Sequence, residues 1–569
     1  MADGGPAYGL PEDVQQAVSA RLAHAFLPGP QEMYQLGGPT SLVLLAALAN
    51  VMPSPPMGAR AAVLLLLRLA RVAVTSGDAW AAHTQQERAG LPAHAGGAQL
   101  VVPRDRVATV ALGSLEVAWR LLRERLAANP PAWAAEAGVE FWRLVAAVLG
   151  PSEPLPPAPP PCLAAAVAGG LLPCLERLLR RAGEEPDGPE SLVMGALLRE
   201  GHTWHVWAHL LEYGEPRQAA ALVATLGKLL RRANWAVASS GDGRSVMRLC
   251  AAVLNSPITS PSRLIDAEGR QLGRLMMYAA CVWLPALSDH AIQAMGAQPA
   301  PGTADSEDVW VVLRPLLCWP LLLTHRCATG STAGAPAGDR AMVAADSGSC
   351  SAADDTGGWR LLLLEGMRVV PLLGATLRLA ALQLPHANFR YVLAHGCCAV
   401  AAVFPDEVLC AASSSAWSPE LLRALLPDLR AVGANGFGNS IEALAAWLEG
   451  ASTAGNGSSS NGGCNAGLCR ARGDTKACEH FLAAAAIMPG ILEEMAARLV
   501  PPAEARTQLR TCSFRGCTSL ASDSEADARM RWCRFCNASC YCCGECQLSH
   551  WREGGHKEAC PGGAKARPG

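Results

Sequence analysis

Residues 169–181 read Gly-Gly-Leu-Leu-Pro-Cys-Leu-Glu-Arg-Leu-Leu-Arg-Arg, and their spacing decides the fold class. Leu171, Leu172, Leu175, Leu178 and Leu179 recur at the three- and four-residue steps of an α-helix and share one face. Glu176, Arg177, Arg180 and Arg181 share the other. Residues 219–232 repeat the arrangement, with Leu222, Val223, Leu226, Leu229 and Leu230 inside and Lys228, Arg231 and Arg232 outside. Both stretches end in Leu-Leu-Arg-Arg. Working outward, the spacing predicts further apolar helices at 119–126, 141–149, 359–384, 421–447 and 479–499, many with a Trp that belongs to the core.

Composition agrees. Hydrophobic residues make up 50% of the 569 positions and aromatics only 5%, so the apolar mass is Ala, Leu and Val, which favours helix over sheet. The 47 basic and 49 acidic residues nearly cancel, which argues against a nucleic-acid clamp. Lysine occurs only at 228, 476, 557 and 565, and Arg supplies every other basic residue. A GC-rich coding sequence produces that bias without any function. The apolar run at 61–67 is cut by Arg68 and Arg71, short of the ~20 residues a membrane span needs. The first residues lack the charged and apolar regions of a signal peptide, so the expected location is intracellular, nuclear or cytoplasmic.

The 169–181 phrase resembles the core helix of armadillo-type repeats, which implies stacked helix pairs with a partner-binding concave face. An irregular all-α body is the alternative. The expected fold is mainly α: an irregular or armadillo/HEAT-like helical body followed by a small zinc-stabilised finger. Its expected divisions are an N-terminal helical region at 1–149, a Pro-rich linker at 150–161 and a helical body at 162–327. A low-complexity insertion at 328–358 precedes the continued body at 359–450. A flexible linker at 451–474, a helix at 475–500, the finger at 512–560 and a tail at 561–569 complete the chain.

The chain has 22 cysteines, and nine of them fall between Cys512 and Cys560. In a reducing compartment such a cluster binds metal rather than forming disulfides. The other cysteines read as small buried or linker residues. The candidate ligands come in pairs: Cys512 with Cys517, Cys533 with Cys536, Cys542 with Cys546, and His556 with Cys560. Zn²⁺ takes four such ligands in a tetrahedron, and a tight turn supplies two at little loop-closure cost. Eight ligands make two sites, and metal binding would supply much of the folding free energy of so small a domain. His550 is a rival to His556, which keeps the three-residue spacing to Cys560.

Cys533-x2-Cys536, then Tyr541-Cys542-x3-Cys546-Gln547, Trp551 and His556-Lys557-x2-Cys560, resembles the MYND-type zinc finger. The resemblance implies that Cys512, Cys517, Cys542 and Cys546 hold one zinc ion and that Cys533, Cys536, His556 and Cys560 hold the other. It also implies a protein-interaction module that binds partner peptides, proline-rich ones among them, through Tyr541, Cys543, Gln547 and Trp551. Tyr541 and Trp551 have a second reading, as covers over the zinc sites. The sequence departs from the family pattern in its C-x4-C first pair, its long 518–532 stretch, Gly554-Gly555, and Cys543 where Ser is usual.

The expected function is therefore a non-enzymatic adaptor. A MYND-associated SET-domain lysine methyltransferase is the enzymatic alternative. It is disfavoured because no Asn-His-[Ser/Cys] element occurs, and neither a P-loop nor a G-x-S-x-G motif is present. A nucleic-acid-associated regulator is the third class, with nucleic acid an unlikely partner given the balanced charge. Residues 433–438 (Gly-Ala-Asn-Gly-Phe-Gly) follow no strand and make a poor phosphate loop.

Overall fold

The computed structural model describes most of residues 131–186, 203–233, 241–259, 270–296, 305–332 and 352–455 and all of 490–564, with isolated positions among 60–71, 115–125 and 188–195. Most of the expected 1–149 region, the Pro-rich linker, the low-complexity insertion and the 451–474 linker lies outside the described residues, as does the first part of the 475–500 helix. Of the described residues 79% are helical, so the chain is a helical body with a small C-terminal metal-binding region. It divides into two compact units, Met1–Leu222 with Leu520–Ser524, and Val223–Ser519 with Glu525–Gly569. The division falls inside the helix Pro216–Arg232.

In the first unit the helix Leu171–Glu184 buries Leu171, Leu172, Leu175, Leu178 and Leu179, the face its spacing predicts. Each fully buried Leu contributes roughly 1.5–3 kcal/mol. Trp142 meets Trp207 edge-on at 6.5 Å, and Trp119 lies 5.2 Å from Phe141. The polar face departs from expectation, because Glu176 and Arg180 are only 1% and 2% exposed. The segment Leu520–Ser524 lies over them. Arg180 Nε donates to Ser522 O at 2.5 Å, and Ser524 Oγ donates to Glu176 Oε2 at 2.6 Å. Helical periodicity says which residues share a face. It does not say what later covers that face.

In the second unit Asp305–Thr332 packs against both Gly241–Thr259 and Ala387–Val403, and Arg270–Gly296 packs against Val369–Gln383. Buried indoles tie these helices together, since a buried Trp N–H needs an acceptor. Trp283 donates to Val223 O, Trp319 to Leu254 O and Trp417 to Val370 O, each at 2.9 Å. Gln271–Gly296 is long and apolar enough to cross a membrane by composition, which the sequence reading did not expect. In the structure 78% of its most apolar window is buried among neighbouring helices.

Two expected helices are broken. The 359–384 stretch becomes Ala352–Leu361, a π turn at Leu362–Gly366, and Val369–Gln383, with Arg368 in the left-handed region at φ 51°. Ser288 Oγ donates to Met367 O at the break. The 421–447 stretch becomes Pro419–Arg423, Leu426–Ala431 and Asn435–Gly455. Gly433, at φ 74°, ends the second of these. Its N–H reaches Arg430 O and the Ala434 N–H reaches Leu429 O, the bonding of a Schellman cap. The glycines of 433–438 therefore close one helix and open the next. Element ends also cross the expected divisions: Asp305–Thr332 enters the low-complexity insertion, and Asn435–Gly455 enters the linker.

Gly227 lies at a close approach between the Pro216–Arg232 and Arg270–Gly296 helices. A Cβ there would lie 2.2 Å from Val282 Cγ1 and 3.3 Å from Trp283 Cδ1. Gly227→Val is expected to lower stability by about 1–3 kcal/mol through overpacking, read as a lower urea midpoint by circular dichroism. An unchanged midpoint would mean that these helices can separate without loss.

Candidate metal centre

The chain reaches the finger through Pro502–Ala505 and a 3₁₀ turn at Arg506–Gln508, both packed on Arg270–Gly296. Each ligand pair then sits on a short local structure. The Cys517 N–H bonds to Phe514 O at 3.0 Å and closes the first turn. Strands β1 (Arg531–Trp532) and β2 (Cys540–Tyr541) pair antiparallel, with Trp532 opposite Cys540. A ribbon this short is not stable alone. Beyond β1 the Cys533–Cys536 knuckle closes through the Asn537 N–H to Cys533 O at 3.0 Å, with Asn537 left-handed at φ 50°. Cys546 rides on the helix Gly544–Arg552, and His556 opens the helix His556–Ala559.

These elements bring the eight candidate ligands into two groups. Cys512, Cys517, Cys542 and Cys546 form one, and Cys533, Cys536, His556 and Cys560 the other, with the ligand atoms of each group within 4.8 Å of one another. Tetrahedral zinc, with Zn–S about 2.3 Å and Zn–N about 2.0–2.1 Å, requires S···S near 3.8 Å and S···N near 3.6 Å. The Cys517–Cys542 and Cys542–Cys546 sulfurs are 3.5 and 3.6 Å apart, and the Cys533–Cys560 pair 3.9 Å. His556 Nε2 lies 3.4 Å from Cys533 Sγ and 3.8 Å from Cys536 Sγ. These separations fit a metal shell and are far too long for the ~2.05 Å of a disulfide. The donor chemistry, one all-thiolate group and one of three thiolates with an imidazole, is consistent with zinc.

The ligand thiols divide. Cys517 and Cys536 are held low, whereas Cys512 is pushed up to about 12 by its bond with Cys517. The neighbouring sulfurs and burial raise Cys542, and burial and the neighbouring sulfurs raise Cys546 and Cys560. Hydrogen bonds with Cys512 and Cys542 hold the Cys517 thiol well below its usual range, and nearby Lys228 adds to this. The Ala538 N–H draws Cys536 down to about 7. In the body, burial pushes Cys281 and Cys318 up to about 11 and Cys398 to about 12, so those thiols stay neutral.

The remaining sequence candidates have defined places. His550 stands outside both groups. Its Nδ1 is 3.0 Å from the Tyr541 hydroxyl, and its ring stacks on His556 at 5.0 Å. Tyr541 is fully buried in the finger's small core, which is otherwise made largely of the cysteines themselves. Cys543 caps the Gly544–Arg552 helix by accepting from the Cys546 N–H. Gln547 and Trp551 lie half-buried on that helix, with Trp551 edge-on to His556 at 5.8 Å. Cys540 is buried and its Sγ bonds to Thr511 O. The two inserted glycines are both required. A Cβ on Gly554 would meet His550 Cδ2 at 2.3 Å, and Gly555 takes φ 74° to start the His556 helix.

Sequence reasoning missed three residues that hold the finger in place. Lys228, expected on an outer face, is 3% exposed. Its Nζ pairs with Glu525 Oε2 at 2.7 Å and donates to Ser519 O at 2.8 Å. Arg231 Nε donates to Cys517 O at 3.1 Å. Ser519 and Glu525 belong to the long 518–532 stretch between the first and second ligand pairs. That length, and the single lysine in the first 475 positions, were the available signals.

The full chain is expected to carry two equivalents of zinc by elemental analysis. His556→Ala should retain one and His550→Ala two. Loss of an equivalent from His550→Ala alone would overturn the ligand assignment. Comparison of the chain with protein-family models, curated proteins and solved structures gives no match, so the site is read from its own geometry.

Proposed function

We propose that the protein is a zinc-binding adaptor whose C-terminal MYND-type finger recognises partner peptides, proline-rich ones included, while the helical body acts as an armadillo-like scaffold. It works by binding inside the cell, without catalysis. The observation that carries this reading is the interleaving of the ligand pairs: the first and third converge on one site and the second and fourth on the other, as the MYND resemblance implies. Gln547 and Trp551 stand half-exposed beside the sites on the Gly544–Arg552 helix. A preformed polyproline helix loses little entropy on docking against such aromatic and amide side chains. Tyr541, buried beneath them, supports that surface rather than offering its ring.

Titrating the full chain with a panel of proline-rich peptides tests this reading. Binding should weaken at least tenfold in Gln547→Ala while two zinc equivalents are retained. Failure of every peptide to bind at millimolar concentration, or equal binding by the variant, would overturn the peptide assignment. Affinity capture with wild type and Cys533→Ser would then separate partners of the finger from those of the body.

A further inference from the structure

The finger follows a flexible-looking linker in sequence, yet its first metal group is not carried by the finger alone. Three contacts from Pro216–Arg232 fall within nine residues of chain: Arg231 on Cys517 O, Lys228 on Ser519 O, and Lys228 on the Glu525 carboxylate. Cys517 is itself a ligand of the first group. The helix therefore grips the chain at a ligand and again two and eight residues beyond it.

The residue types suit this task. Lysine is scarce here, one of four among 47 basic residues, and the one in the helical body is almost wholly buried. An ammonium is a compact charge with three donors, and here it serves a carbonyl and a carboxylate together. A planar guanidinium presents a fork that does not replace it. Glu525 is 0% exposed on its side chain, so this pair is enclosed. A Zn²⁺ ion with four thiolates carries a net charge of about −2, which positive groups alongside would stabilise.

We propose that Lys228, with Arg231, is a positioning residue for the first zinc site, so that metal occupancy of Cys512, Cys517, Cys542 and Cys546 and docking of the 518–532 loop on the Pro216–Arg232 helix are linked equilibria. The inference rests on the zinc reading above. Linkage is reciprocal: what the helix adds to zinc affinity, zinc adds to docking. The second site, built from Cys533, Cys536, His556 and Cys560, contains neither Cys517 nor any of the residues gripped by Lys228 and Arg231, and should be indifferent.

The test is chelator competition on the full chain loaded with Co²⁺, whose absorption separates the four-sulfur site from the three-sulfur, one-nitrogen site. In Lys228→Met the four-sulfur site should lose metal at roughly ten- to a hundredfold lower chelator concentration, the range for outer-shell partners. The second site should be unchanged. Glu525→Gln, which keeps shape and removes the pair's negative charge, should shift the same site in the same direction. Reciprocally, metal removal from wild type should speed cleavage by an arginine-specific protease after Arg529 and Arg531, whose side chains are exposed but whose backbone is held in the docked loop and β1. Equal release from both sites in either variant, or wild-type release from the first site in a variant with unchanged circular dichroism, would overturn the linkage. Fewer than two metal equivalents in wild type would instead overturn the zinc reading itself.

Discussion

The buried ion pair between Lys228 and Glu525 is the constraint on which the C-terminal architecture depends. Removing two charges from water costs several kcal/mol per ion, and their attraction offsets this only when other hydrogen bonds complete both groups. Here Ser519 O supplies a further acceptor for the ammonium. Losing one partner of such a pair costs about 3–5 kcal/mol, because the other is left charged and enclosed. The helical body has its leucine and tryptophan core to hold it together. The finger has only a small cluster of cysteines with Tyr541, Phe514 and Trp551, so an external anchor matters more to it.

Much of this was legible in the sequence for a physical reason. Helical burial repeats every 3.6 residues, so the inward faces of 171–184 and 216–232 could be read from their leucines. Metal ligands come in close pairs because loop closure is cheap at that distance, so the eight ligands stood out as pairs. The charges on the outer faces were misread because their partners lie about three hundred residues away. Lys228 and Glu525 are separated by 297 positions, and Glu176 and Ser524 by 348. No local rule reaches that far. Arg368 and the π turn before it were missed although Gly366 and Pro371 stand at the break, because the leucines on either side carry an apolar run straight through it. Ser288 on another helix bonds to Met367 O there.

The finger's chemistry and its placement follow from different parts of one short segment. The cysteine pairs and the His556 turn determine where metal would sit. The stretch between the first and second pairs determines what the finger rests against. Trp532, Phe535 and Leu548 remain exposed on the finger, whereas its packing against the Arg270–Gly296 helix is reserved for the chain entering it. The finger is thus tied to the body both at its chain entry and through Lys228 and Arg231.

The interlocked 518–532 loop also bears on how such a protein can be inherited. A gene fusion that carried residues 512–560 to another chain would bring Glu525 without the ammonium that neutralises it. It would transplant an acid shaped for a pocket left behind. The finger and the Pro216–Arg232 helix must travel together or change together, so although they stand far apart in the reading frame they form a single heritable unit.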